Sequence, residues 1–155
     1  MDFEDYEYKL KNYISENNIT AEHIHFQNSV HTVEEAAKEA NASADDFVKS
    51  VCIISQEKTI IAIILGSDRA DMSKISNLLG IKKPYVASPQ EALERTGYPV
   101  GGTPPFGYAA IFLMDEKVPD KKFVYAGGGS PQALIKISPK EILRINKAQI
   151  CDIRK

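Results

Sequence analysis

Two runs rich in β-branched residues, Phe47 to Ile54 and Thr59 to Leu65, are separated only by the polar segment Ser55-Gln56-Glu57-Lys58. Neither run alternates strictly between apolar and polar positions, so both faces of both strands must be covered by the rest of the chain. A hairpin of this kind belongs in the middle of a sheet and needs helices or a second layer around it. The chain has 155 residues, 43% of them hydrophobic. One domain spanning 1–155 can supply that cover without disulfides or a structural metal.

The flanking segments predict the covering elements. Phe3, Tyr6, Leu10, Tyr13 and Ile14 recur at helical spacing, giving an amphipathic helix over 2–16 whose acids lie on the wet side and which ends at Asn17-Asn18. Thr32 followed by Glu35 is a capping pair that opens a second helix, with Val33, Ala36, Ala37 and Ala40 as its small apolar face. A helix over about 71–79 stops at Gly80. Ser88-Pro89-Gln90-Glu91 and Ser138-Pro139-Lys140-Glu141 open two short helices, about 89–96 and 139–145. Further strands are expected at about 109–113, 122–126 and 132–137, with a last one at 149–153. The fold class is therefore mixed α/β, with a largely antiparallel central sheet and surrounding helices.

Charge and cysteine use narrow the function. The formal net charge is -2, which argues against a general nucleic-acid binder. Its distribution is uneven: residues 1–46 hold 11 acids and 3 bases, whereas residues 136–155 hold 6 bases and 2 acids. A local contact with a polyanion stays open beside the simpler reading of solvated faces. Cys52 and Cys151 have neither metal-ligand spacing nor a paired framework. No apolar run is long enough to span a membrane, and the first residues are acidic where an export signal is basic. The expectation is a cytoplasmic protein without membrane association.

One segment fits neither period. Residues 97–108, GYPVGGTPPFGY, hold four glycines and three prolines in twelve positions. Proline fixes φ and glycine opens conformations closed to other residues, so this is a stiff irregular loop. Such loops turn corners, and they also hold anionic or carbonyl oxygens on exposed backbone amides. Gly127-Gly128-Gly129 has more glycine than a hairpin needs and suggests a close approach by a ligand or another backbone. Lys49 sits in an otherwise apolar strand, where it either snorkels to water or serves as a focused cation. Neither glycine loop has the pattern of a P-loop or a dinucleotide fingerprint. His23, His25 and His31 lack a matching ligand cluster, so no metal site is expected. Gly-x-Ser-x-Gly is absent and no histidine follows His31, which disfavours a nucleophilic triad. Lys82-Lys83, Lys121-Lys122, Arg69 and Lys74 are phosphate-capable but ordinary surface residues.

Thr32-Val33-Glu34-Glu35-Ala36-Ala37, then Val48-Lys49-Ser50, then GYPVGGTPPFG, then AGGGSPQALIKISPKEI together resemble the YbaK/ProX family of aminoacyl-tRNA deacylases. That family includes the editing domain of bacterial prolyl-tRNA synthetases. The resemblance runs from about residue 23 to 153. It implies the compact editing fold and hydrolysis, in trans, of the ester joining a wrong, small amino acid to the terminal adenosine of a tRNA. The family's lysine falls on Lys49, and its Gly-x-x-x-Pro loop on Gly101-Gly102-Thr103-Pro104-Pro105.

The implied catalytic groups are Lys49 and the amides of Gly101 and Gly102. The implied substrate-binding set is Ser50, Thr103, Pro104, Pro105, Gly127, Gly128, Gly129 and His31. No cofactor is implied. The implied partners are the acceptor end of a mischarged tRNA and, as an option, a synthetase. Many relatives carry a histidine or basic residue where this chain has Gly107-Tyr108, and bulkier residues in place of the three glycines. Two other readings stay open: a non-catalytic module binding aminoacyl-tRNA ends, nucleotides or a synthetase, and a hydrolase of small esters.

Overall fold

The computed structural model describes all 155 residues. The element order is α1 (Phe3–Glu16), β1 (Ala21–His25), α2 (Val33–Ala40), β2 (Val48–Ser55), β3 (Lys58–Leu65), α3 (Met72–Leu79), β4 (Tyr85–Val86), α4 (Pro89–Thr96), β5 (Ile111–Asp115), β6 (Val124–Gly127), β7 (Ala133–Ile137), α5 (Pro139–Asn146) and β8 (Gln149–Cys151). The β2–β3 hairpin forms as expected and lies inside a five-stranded sheet of order β4-β2-β3-β5-β8. Its β4-β2-β3 part is antiparallel, while β5 joins β3, and β8 joins β5, in parallel. A second, antiparallel sheet runs β1-β7-β6 and meets the first at a parallel bridge between Phe47 and Tyr125.

Both faces of the hairpin are covered. Cys52, Ile61, Ile63 and Met114 share one core with Leu10 of α1, Ala92 of α4, Ile142 of α5, and Val124, Ala126 and Ile135 of the smaller sheet. Ile53, Ile60, Ala62 and Ile64 face the other way, against Ile75 of α3, Ile81 and Ile153. A third, smaller cluster places Ala36 of α2 and Val30 on Phe47 and Leu134.

The local signals explain the helix ends. Thr32 and Ser88 each accept from the backbone N–H three residues on, and Glu35 and Glu91 reciprocate. Gly80 closes α3 in the left-handed conformation, φ 64°. Ser138 caps α5 alone: the carboxylate of Glu141 instead accepts from Thr20 N–H at 2.6 Å and pairs with Arg144. Arg144, and then Thr20, hold the Glu141 carboxyl down at about 2.

Two short strands, β1 and β4, were not among the expected elements. The last strand stops at Cys151 because Ile153 N–H donates to the buried Asp115 carboxylate at 3.1 Å instead of extending the ladder. α1 also departs from expectation, since Glu7 faces inward and is only 5% exposed.

Candidate active site

Between the Phe47–Tyr125 bridge and the pairing of Ile53 with Val86, the side of β2 turned away from β3 has no strand paired along it. A cavity of about 360 Å³ occupies that edge, within the roughly 300–1,000 Å³ usual for small-molecule sites. Six consecutive residues, Phe47 to Cys52, line it. Alternate side chains of a strand point to opposite faces, so only a strand edge presents such neighbours to one space. Thr32, which caps α2, Val33 and Ala36 of α2, Val100, Gly101 and Thr103 of the loop, and Tyr125 to Gly127 of β6 close the sides.

The polar groups in this apolar hollow are few. Lys49 is half-buried, and its ammonium makes neither an ion pair nor a hydrogen bond within the chain. Burial, and secondarily the Arg69 guanidinium, lowers its pKa from the ordinary lysine value, with Asp68 opposing. Ser50 Oγ is buried without a hydrogen-bond partner. An unpartnered buried hydroxyl costs about 1–3 kcal/mol, and in a residue lining a cavity it is free to bond a polar atom that enters. No carboxylate lines the hollow, and its electrostatic sense is set by Lys49.

The glycine-proline loop supplies amides. The N–H groups of Gly101 and Thr103 donate to no acceptor in the chain. Gly101 has φ +87°, a conformation that favours glycine, and the imidazole of the exposed His31 lies so close against it that a Cβ would push the ring aside. The rest of the loop is fixed from behind. Pro99 O accepts from Gly102 N–H and from Thr103 Oγ1, each at 3.1 Å, Pro104 O accepts from Tyr108 Oη at 2.6 Å, and Pro105 O accepts from Asn146 Nδ2 at 2.9 Å.

The structure therefore gathers Lys49, Ser50, Gly101, Thr103, His31 and Gly127 around one space and leaves the other expected residues outside it. Gly102 does not offer an oxyanion donor, because its N–H is spent on Pro99 and its Cα faces the Ser130 backbone. Pro104 and Pro105 are buried behind the loop. Gly128 and Gly129 lie against the Ala133–Leu134 and Tyr6–Glu7 backbones, so a ligand is not what approaches them. Gly127 touches both worlds: it lines the cavity and abuts the Thr103 backbone.

A polar cluster behind the site carries no motif in the sequence. Glu7 accepts from Ser130 Oγ at 2.7 Å and from His25 Nδ1 at 2.9 Å, and His23 Nε2 donates to Gly128 O at 2.8 Å. A carboxylate and a carbonyl only accept, which fixes the proton on Nδ1 of His25 and Nε2 of His23. Burial lowers the pKa of His23, against the Gly128 bond and the Glu7 charge. The one available signal was the pairing of an in-facing acid at helical position 7 with histidines two apart in a strand.

Comparison with known proteins places this arrangement. Residues 27–145 match the model of the aminoacyl-tRNA editing domain, and the chain belongs to that family. It is 31% identical to the uncharacterized protein YwhH of Bacillus subtilis strain 168 over 87% of this chain and 85% of that one. It is 32% identical to proline--tRNA ligase of Nitratidesulfovibrio vulgaris strain DP4 over 52% of this chain but only 14% of the ligase. Among solved structures, a proposed trans-editing enzyme for prolyl tRNA synthetase superposes with a TM-score of 0.89, at 27% identity, over 97% of both chains. No helix of the chain is long and apolar enough to cross a membrane.

Proposed function

We propose that residues 1–155 act as one editing domain that hydrolyses, in trans, the ester between a small, wrongly attached amino acid and the terminal adenosine of a tRNA. The observation that carries this reading is that Lys49, Ser50, Gly101 and Thr103, which hold an unpaired ammonium, an unpartnered hydroxyl and two unbonded amides, all line one apolar hollow. An aminoacyl ester is already activated, so charge stabilisation and positioning suffice. The amides of Gly101 and Thr103 receive the developing oxyanion. Lys49 holds the terminal phosphate or the carbonyl, and Ser50 Oγ orients the ribose. The attacking water is activated by a ribose hydroxyl of the substrate itself, consistent with a cavity lined by no carboxylate.

Selectivity follows from the walls. Val33, Ala36, Val100 and Leu134 exclude large side chains by clash, whereas smaller ones are discriminated by only about 1–3 kcal/mol per methylene. Small residues such as alanine, cysteine or serine are the substrates this favours.

The test is ester loss from a panel of mischarged tRNAs incubated with the purified protein. Lys49→Ala is expected to slow the best substrate by at least about 100-fold, the scale of one lost electrostatic contact to the transition state. Hydrolysis of every charged tRNA at the buffer rate, or an unchanged rate in Lys49→Ala, overturns the reading. Free amino acid esters cleaved as fast as charged tRNA would make the protein a small-ester hydrolase.

A further inference from the structure

Outside the cavity, one large aromatic stands in solvent next to unpaired cations. Phe123, immediately before β6, is 50% exposed. Lys136 Nζ lies 5.5 Å from the Phe123 ring centroid and 6.0 Å from that of Tyr125, so this one ammonium bridges the two rings. Lys122 Nζ lies 6.0 Å from the Phe123 ring. Neither lysine forms an ion pair, although their neighbour Lys121 is tied to Asp45 at 3.2 Å. Glu22, the register partner of Lys136 on β1, is exposed and makes no ion pair with it.

The strip is continuous with the site. Exposure alternates along 123–127, with Phe123, Tyr125 and Gly127 on the more open side and Val124 and Ala126 buried. Tyr125 lines the cavity and stacks on Phe47 with centroids 5.1 Å apart. A path therefore leads from the hollow over Tyr125 and Lys136 to Phe123 and Lys122.

We infer that this strip is a stacking platform for the single-stranded 3′ end of RNA: the base preceding the terminal adenosine stacks on Phe123, and its phosphates meet Lys136 and Lys122. Aromatic faces accept any base, and adjacent lysines neutralise the backbone, which is how single strands are held without sequence readout. This inference rests on the proposed function, because it takes the terminal nucleotide to occupy the cavity. It also reconciles a net charge of -2 with an RNA substrate, since only a few nucleotides are touched.

Two measurements test it. The first is fluorescence anisotropy of a 5′-fluorescein ACCA ribotetranucleotide. Phe123→Ala is expected to weaken binding at least fivefold, and Phe123→Tyr to stay within twofold of the parent. Lys122→Ala and Lys136→Ala are each expected to flatten the dependence of log K on log salt by somewhat under 1, the slope of one single-strand phosphate contact. The second compares kcat/KM for the best charged tRNA with that for the adenosine ester of the same amino acid. Phe123→Ala is expected to reduce the preference for tRNA at least fivefold, through KM.

Binding by Phe123→Ala equal to the parent's, or no binding by the parent at all, overturns the platform. Normal hydrolysis alongside that result would sink the platform alone. Aromatic-dependent binding without hydrolysis of any charged tRNA would keep the platform and sink the catalytic reading. A loss of kcat/KM that is equal for the two substrates would make Phe123 structural and overturn the inference.

Discussion

The two glycine-rich loops look alike in sequence and do opposite work. The 101–103 loop leaves the amides of two cavity-lining residues, Gly101 and Thr103, unbonded. The 127–130 loop spends its polar groups inside the fold: Gly129 N–H donates to Gly102 O at 2.8 Å, Gly128 N–H donates to Ala133 O at 3.0 Å, and Ser130 Oγ donates to Glu7. One loop leaves amides unbonded beside a cavity and the other is pressed against backbone. Glycine density reports close approach without saying what approaches.

The largest expected break in this contrast is Gly102→Val. Its Cβ would fall on the Ser130 backbone, where nothing flexible can yield. It should lower unfolding free energy by about 1–3 kcal/mol, the cost of overpacking, and abolish ester hydrolysis as well, which urea denaturation and the deacylation assay together check. Retention of stability with loss of activity would return Gly102 to the oxyanion site.

Glu7→Gln comes next. It weakens the charged network that fastens the second loop to α1, and about 1–3 kcal/mol of stability should go, read by chemical denaturation. Gly101→Ala is the counterpart in the first loop. The left-handed backbone costs a side chain about 1–2 kcal/mol, and the exposed His31 ring can move aside, so stability should fall less than activity. Adding His31→Ala should recover part of the rate if the ring clash is the cause.

The smallest effects are those of pH. The unfolded chain binds a proton at His23 near pH 6.5, whereas burial lowers the pKa in the folded state. The unfolded state therefore binds more protons from about pH 6.5 down to the lowered folded-state pKa, and stability falls on acidification across that window. Amide exchange in 127–130 should speed up first. For Lys49 the lowered pKa predicts that kcat/KM declines at alkaline pH before an ordinary lysine, near 10.4, would lose its charge.

What could be read from the sequence was what the local chain determines. Thr32, Ser88 and Gly80 fix helix ends within a few residues, and the runs around Lys49 can only be a buried hairpin. β1 escaped because Ala-Glu-His-Ile-His has a single large apolar residue; it is an edge strand, made by pairing with β7 rather than by its own pattern. β4 is two residues long and exists only through Ile53 and Ile54. In the site, Lys49 and Gly101 stand out by chemistry, whereas Val30, Phe47 and Leu134 read as core. Nor can a sequence reveal which amides are already bonded, which is why Gly102 and Gly101 were indistinguishable there.

The edge position of the cavity has a consequence for how this protein can change. Its floor is one strand whose register is locked by eight paired positions with β3, whereas α2, the 100–103 loop and β7, which supply much of the wall, form no ladder with that strand. Val33, Val100 and Leu134 can be exchanged one at a time without shifting the strand beneath them. If the proposed function holds, a lineage built on this frame would drift from one acyl group to another through single substitutions, keeping its reaction while changing its clientele.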